Sequence, residues 1–256
     1  MASPAQHRTS LLRGVAGGVK SYLLAALNAF GFDIVRYWPD PFERKRARVL
    51  FSESIDAVLD VGANTGQYGQ LLRRQGYRRR LISFEPLGEA FEALSAQAGS
   101  DLRWECYRLG LGEEVGLKEL RVSQNLVSSS FLSVNESLSS SDPRLSHLKS
   151  ETVNVTTLDD LRSTVFTDCD RLFLKLDVQG FELSVLGGAR ETLQHVLAVE
   201  CELSLAAIYD NQARLADVVS LLADAGLHLC AIQPAYVDRR TGDWLQIDGL
   251  FVRDRS

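Results

Sequence analysis

The chain predicts an open, mostly parallel α/β sheet with helices on both faces, and three observations carry that expectation. Short apolar runs alternate with helically spaced stretches from residue 55 onward, the pattern of strands joined by crossover helices. A glycine-rich turn, GANTG from Gly62 to Gly66, follows the first of these runs directly. The most apolar runs also carry alternating charges, Lys175 and Asp177 in LFLKLDV and Glu200 and Glu202 in VLAVECEL. Charged groups in strands buried on both faces are costly unless they pair or work.

The elements follow in order. IDAVLDV (Ile55 to Val61) is a strand that ends in the glycine turn, and TGQYGQLLRRQ continues it as a helix. RRLISFEP is a second strand, ending at Glu85 and halted by Pro86. LGEAFEALSAQ is a helix with apolar positions at Leu87, Phe91 and Leu94, and LRWECYRLGLG holds a third strand. The composition then shifts: Ser123 to Ser150 contains eleven serines in 28 residues. Such a segment reads as a surface loop by composition, but long insertions in compact α/β domains are usually lids or binding loops. Its neighbours LKELRV and ETVNVTTL look like edge strands that pin both ends. The alternation resumes with the strand in DRLFLKLDVQG, a helix in FELSVLGGARETLQ, the strand VLAVECEL and an amphipathic helix in QARLADVVSLLADAG. LHLCAIQP and WLQIDGLFVRD close the pattern as an antiparallel pair.

Residues 51–256 are thus expected to form one domain, with an insertion at about 123–150, and residues 1–50 a helical appendage. The stretch Leu11 to Phe32 is apolar but broken by Arg13, Gly17, Gly18 and Lys20. It reads as a helix docked on the domain, with peripheral contact to a membrane surface as the alternative. No run of about twenty apolar residues predicts a transmembrane span. A net charge of -5 argues against binding nucleic acid through phosphate neutralisation. The basic run RRQGYRRR (Arg73 to Arg80) reads as a solvated face. Cys106, Cys169, Cys201 and Cys230 show neither a C-x-x-C pair nor zinc-ligand spacing, as expected of reduced thiols in a cytoplasmic protein.

In an open parallel sheet, ligands bind beyond the carboxyl ends of the strands. Asp60, Gly62, Asn64, Thr65, Gly66 and Gln67 sit there. Glu85 follows Gly66 by 19 residues at the tip of the second strand, where a carboxylate accepts hydrogen bonds from ribose hydroxyls. Asn64 replaces the second glycine of the dinucleotide fingerprint, and Asp60 precedes the turn. A carboxylate there repels a pyrophosphate and attracts an ammonium. S-adenosylmethionine has a ribose, an ammonium and no phosphate, so it fits better than a nicotinamide dinucleotide.

VLDVGANTGQ, ISFEP, TVNVTTLDDL, LKLDVQGFELSVLGGA and QIDGLFV occur in this order, and together they resemble the FkbM family of S-adenosylmethionine-dependent methyltransferases over roughly Val58 to Val252. The resemblance implies a class I methyltransferase (Rossmann-like) fold, with a seven-stranded sheet whose last strand is antiparallel. It also implies O-methylation of a sugar, glycolipid, polysaccharide or secondary metabolite, and therefore a small-molecule or glycan acceptor. In such a fold Gly110, at the third strand's end, flanks the adenine and Asp177 lies beside the transferred methyl.

Methyl transfer to an alcohol needs the hydroxyl proton removed as the bond forms. Asp177 is the first candidate base and His147 the second. Lys175 is either catalytic or half of an internal ion pair with Glu200. Glu182 touches substrate or serves as an N-terminal helix charge. Ser128, Ser129 and Ser130 would offer hydroxyls to a polyol. Asp177, Glu200 and Glu202 supply hard oxygen ligands that a divalent metal would accept. The rival readings are a nicotinamide-dependent oxidoreductase, for which no Tyr-x-x-x-Lys pair is present near the fourth strand, and a non-catalytic module that binds the cofactor.

Overall fold

In the computed structural model, which describes residues 41–123, 129–132, 147–209, 212–238 and 240–254, helix α1 (Pro41–Ser52) leads into strand β1 (Ala57–Val61), helix α2 (Gln67–Arg74) and strand β2 (Arg80–Phe84). Helix α3 (Gly88–Ala98), β3 (Trp104–Tyr107), the two-residue β4 (Gly110–Leu111), β5 (Gly116–Ser123) and β6 (His147–Thr156) follow. Then come α4 (Leu158–Arg162), β7 (Leu172–Leu176), α5 (Glu182–Gly187), a 3-10 turn (Thr192–His195) and β8 (Val196–Ser204). Helix α6 (Leu215–Asp224), β9 (Leu227–Val237) and β10 (Trp244–Arg253) complete the described elements.

Seven of these strands form one sheet in the order β3-β2-β1-β7-β8-β10-β9. All run parallel except β10, which inserts antiparallel between β8 and β9. The order reverses at β1, whose neighbours are β2 and β7, so the crevice at the carboxyl end of β1 is the switch point at which ligands of such sheets bind. Every residue of β1 and β7 is buried, which is why these strands read as continuous apolar runs rather than alternating ones. Ala57, Leu59 and Val61 pack to the face that carries α4, α5 and α6. Val58 packs to the other face, with Phe42, Val49 and Leu50 of α1, Leu72 of α2 and Leu94 of α3.

Several elements depart from the sequence expectation. Gly110 and Leu111 do not prolong β3; they pair with Val155 and Thr156 of β6, opening a second, three-stranded sheet β4-β6-β5. The two strands expected to pin the serine-rich segment pair with each other, from Gly116 opposite Val155 to Ser123 opposite His147. The helix expected over FELSVLGGARETLQ stops at Gly187. Gly188 lies so close to the Gly112 carbonyl that a Cβ there would come within 2.1 Å of its oxygen, and the chain turns before the 3-10 segment. The compact unit begins at Pro41, so α1 lies inside it, ahead of the boundary drawn at residue 51. Among the described residues no helix is long and apolar enough to cross a membrane.

One row of polar side chains crosses the α1–α3 face of the sheet, just below the strand ends. Ser83, Asp60, Lys175 and Glu200 are register partners on β2, β1, β7 and β8. Trp104 Nε1 donates to Ser83 Oγ at 3.0 Å, and that hydroxyl donates to Asp60 Oδ2 at 3.0 Å. At the other end Arg46 Nη1 of α1 donates to Glu200 Oε1 at 3.1 Å, and the Tyr68 hydroxyl of α2 donates to Glu200 Oε2 at 2.8 Å. Glu200 therefore pairs with Arg46, not with Lys175 as the sequence suggests. The reason is access: α1 packs over the β8–β10 side of this face and brings a longer cation. Arg46 and Glu200 are each 3% exposed at their side chains, and removing one partner of a buried pair leaves the other charge uncompensated. We expect Arg46→Met to lower unfolding stability by about 3 kcal/mol in urea titrations; an unchanged midpoint would show that the pair contributes nothing net.

Candidate active site

Two turns meet at the carboxyl ends of β1 and β7. Gly62 has φ +76, and a Cβ on it would fall 2.0 Å from the Asp177 carbonyl oxygen. No side chain fits there, so the glycine is dictated by backbone-to-backbone contact as well as by its left-handed conformation. Asn64 also has positive φ, +49, a conformation that asparagine tolerates better than most residues, and its Oδ1 accepts the Thr65 N–H at 2.8 Å. Gly66, φ +92, precedes α2, with Leu94 and Trp104 closing the space that a side chain would need.

Glu85 leaves β2 and folds back over this turn. Its Oε2 accepts the Asn64 N–H and its Oε1 the Leu87 N–H, each at 2.9 Å, so both oxygens are held while lone pairs remain for a ligand. Burial pushes the Glu85 carboxyl up to about 7, against the pull of these two N–H groups. Asp60 is likewise pushed up to about 7 by burial, although Lys175 and the Ser83 hydroxyl favour its charged form.

The second turn runs from Asp177 to Phe181. Asp177 is the one carboxylate of this turn that reaches solvent, with 42% of its side chain exposed. Lys175 lies behind it, Nζ at 3.5 Å from Asp177 Oδ2. Burial alone would lower the Lys175 pKa, but Asp177, Glu200, Asp248 and Glu202 more than offset that and raise it, so the group is an ammonium at neutral pH. Gln179, with φ +53, fills the wall beyond Asp177. Its Nε2 donates to Asp177 Oδ1 and to Glu202 Oε2, both at 2.9 Å, and its Oε1 accepts the Tyr209 hydroxyl at 2.8 Å. Gln246 Nε2 adds a second bond to Glu202 Oε2 at 2.7 Å. Glu182 Oε1 accepts the N–H groups of Gly180 at 3.1 Å and Val178 at 3.3 Å, closing the turn upon itself.

Above the turns, residues 129–132 cross as a strap. Arg121 and Ser130 form a β-bridge, the Ser130 hydroxyl donates to the Gln179 carbonyl at 2.6 Å, and the Phe131 ring packs on Phe181 with centroids 4.8 Å apart. Together the two turns, the strap and the ends of β2 and β4 enclose a cleft with about 610 Å³ of non-protein space, open solvent included. Gly62, Asn64, Glu85 and Asp177 line its polar side. Phe84, Leu87, Leu109, Leu111, Leu120 and Phe131 line its apolar side. The arrangement offers a flat apolar slot beside a held carboxylate, next to a second, exposed carboxylate backed by an ammonium.

The Methyltransferase FkbM domain matches residues 60–229. The chain belongs to that family. No curated protein matches it. Among solved structures it is similar to magnesium protoporphyrin IX methyltransferase from Synechocystis PCC 6803, at 10% identity over 92% of this chain and 97% of that one, with a TM-score of 0.45. It is also similar to a SAM-dependent methyltransferase from Methanosarcina mazei, at 10% identity over 86% and 99% of the two chains, with a TM-score of 0.43. Neither likeness bears on activity or substrate.

In this FkbM-family domain the residues singled out from the sequence divide into four groups. Gly62, Asn64, Glu85, Gly110, Ser129 and Asp177 line the cleft. Asp60, Thr65, Gly66, Gln67 and Lys175 stand behind it or beside it. Ser130 is 1% exposed and its hydroxyl is committed to the Gln179 carbonyl, so it ties down the strap instead of facing an acceptor. Glu182 is committed in the same way to the backbone of its own turn. Ser128 lies outside the described residues, as does the side chain of His147, whose backbone opens β6.

The metal set suggested by Asp177, Glu200 and Glu202 does not form. Both Glu200 oxygens are taken by Arg46 and Tyr68, and among the described residues no three His, Cys, Asp or Glu side chains are grouped to hold a metal ion. The basic run binds its own chain: Arg73 donates to the carbonyls of Tyr77, Arg79 and Arg103, and Arg79 to those of Ser54 and Ile55.

Four important residues escaped the sequence reading: Arg46, Tyr68, Gln179 and Tyr209. Gln179 alone carried a signal there, since it sits inside the DVQG element next to Asp177.

Asp60, Glu85 and Glu182 are each pushed up to about 7 in the folded protein, above the ordinary carboxyl range. Burial is the first cause in each case. The folded state thus holds more protons than the unfolded chain between about pH 4 and pH 7, and stability falls as pH rises through that window. We expect the melting temperature of the ligand-free protein to drop between pH 5 and pH 7.5, and Asp60→Asn to flatten the slope. A melting temperature that climbs over this range would show that these carboxyls are ionised throughout.

Proposed function

We propose that this protein transfers a methyl group from S-adenosylmethionine to a hydroxyl oxygen of a small-molecule or glycan acceptor. The observation that carries the reading is the Glu85 carboxylate, fixed by two backbone N–H groups at the edge of an apolar slot. A ribose diol would donate to its remaining lone pairs while the adenine lies between Phe84, Leu109 and Leu111. Gly62 supports the same placement, because the cradle is too close to Asp177 for any side chain. At Asn64 the turn departs from the glycine that a pyrophosphate requires, and Asp60 sits immediately below.

When bound, S-adenosylmethionine supplies an electrophilic methyl on a sulfonium. The chain's own residues do the rest. The strap and Phe131 screen the slot from water. Asp177, exposed at the cleft with the Lys175 ammonium behind it, accepts the acceptor's hydroxyl proton as the new C–O bond forms. Lys175 is a cation at neutral pH and acts by its charge, not as a base.

Calorimetric titration with S-adenosylhomocysteine and with NAD⁺ tests the reading. We expect only the former to bind, and Glu85→Ala to weaken it at least about tenfold, the scale of losing charge-assisted hydrogen bonds. Binding of NAD⁺ in its place would overturn it.

A further inference from the structure

We infer that Gln179 is a positioning residue that aims the Asp177 carboxylate at the reacting centre and couples that aim to the strap over the cleft. The inference rests on the reading above, in which Asp177 faces the transferred methyl.

The side-chain amide of Gln179 has a single workable orientation. Both protons of Nε2 are given to carboxylates, Asp177 Oδ1 and Glu202 Oε2, while Oε1 receives the Tyr209 hydroxyl. Flipping the amide would set its oxygen against Asp177 Oδ1 and turn its protons toward the Tyr209 hydroxyl, losing the bond that holds Asp177. Tyr209 is 2% exposed and Gln179 8%, so water does not readily substitute for these bonds. The bond from Nε2 holds Oδ1 of Asp177, and Oδ2 is left toward Lys175 Nζ. Oδ1 is thus fixed by the amide, and Oδ2 carries only the longer contact to Lys175 Nζ.

The backbone of the same residue performs the second task. Its carbonyl accepts the Ser130 hydroxyl at 2.6 Å, and Ser130 Oγ in turn accepts the Leu132 N–H at 3.0 Å. Leu132 packs within 3.1 Å of the position that a Cβ on Gly180 would occupy. One residue thus joins the strap through its carbonyl and Asp177 through its amide. It holds a left-handed backbone, φ +53, which non-glycine residues adopt at a cost and retain where surrounding bonds over-determine it. Its neighbour Gly180, φ +94, lets the turn reverse at once. Displacing the strap would pull on this carbonyl and thereby on the turn that sets Asp177.

The test uses two cofactor analogues that differ at the transferred methyl. S-adenosylhomocysteine lacks it, and sinefungin carries a protonated amine at that place. The ratio of their dissociation constants reports how well the Asp177 side chain is aimed there, and a loss of packing alone would weaken both ligands together. Asn at 179 tolerates the left-handed backbone but is too short to bridge Asp177 and Glu202. Tyr209→Phe leaves the chain in place and removes the lock on the amide.

In calorimetric titrations we expect the wild-type protein to prefer sinefungin. Asp177→Asn and Gln179→Asn should each reduce that preference about tenfold, the scale of one charge-assisted hydrogen bond. Tyr209→Phe should reduce it by about threefold, as expected for a neutral hydrogen bond, with S-adenosylhomocysteine affinity retained throughout. If Asp177→Asn erases the preference while Gln179→Asn and Tyr209→Phe leave it at the wild-type value, Gln179 positions nothing and the inference falls alone. If Asp177→Asn leaves the preference untouched, Asp177 does not face the methyl, and the inference falls with the reading beneath it.

Discussion

The contact between Gly62 and the carbonyl of Asp177 fixes the rest of this site. It joins the turns that follow β1 and β7, which the sheet already holds side by side through the bond from the Asp177 N–H to the Val61 carbonyl at 3.0 Å. Two backbones at that separation leave no room for adjustment. The glycine turn after β1 and the exposed carboxylate of Asp177 are therefore parts of one surface, and the side chains around the cleft take their positions from that floor. Glu85 reaches over it from β2, Gln179 walls it beyond β7, and Phe131 roofs it from the strap that bridges to β5.

Below the floor lies the row Ser83, Asp60, Lys175 and Glu200, with Arg46 and Tyr68 at its end. Buried charges are expensive, and this row keeps them affordable by neutralising neighbours in alternation along the register. Two aspects of that alternation bear on function. Lys175, placed between carboxylates, keeps its proton, which rules it out as a base and makes it the electrostatic backing of Asp177. Burial pushes the Asp60 carboxyl up to about 7, so the charge beneath the glycine turn changes with pH near neutrality.

The topology was readable because it rests on periodicity. Apolar runs such as AVLDV and LFLKL are continuous since both faces of β1 and β7 are covered, and the glycine turn marks the crossing point. Glu85 was readable through spacing, and Asp177 through its place at a strand end. What could not be read are partnerships across long sequence distances. Arg46 and Glu200 are 154 positions apart, and nothing local tells an arginine in α1 from its exposed neighbours Arg44 and Arg48. Ser130 looked like its serine neighbours, although one hydrogen bond to Gln179 places it among the most buried polar groups of the chain. Gln179 seemed a turn residue, and only the meeting of β7, β8 and the segment around Tyr209 turns its amide into a hub.

Strand β10 carries a consequence for biosynthesis. It sits between β8 and β9, so β9 has no partner in the sheet until residues 244–253 have left the ribosome. Until then β8 is the open edge of the parallel sheet and β9, eleven residues long, is unpaired, a state of the kind that recruits other chains. Pairing with other chains is thus most open to the nascent protein before residues 244–253 emerge, since β10 satisfies β8 and β9 together.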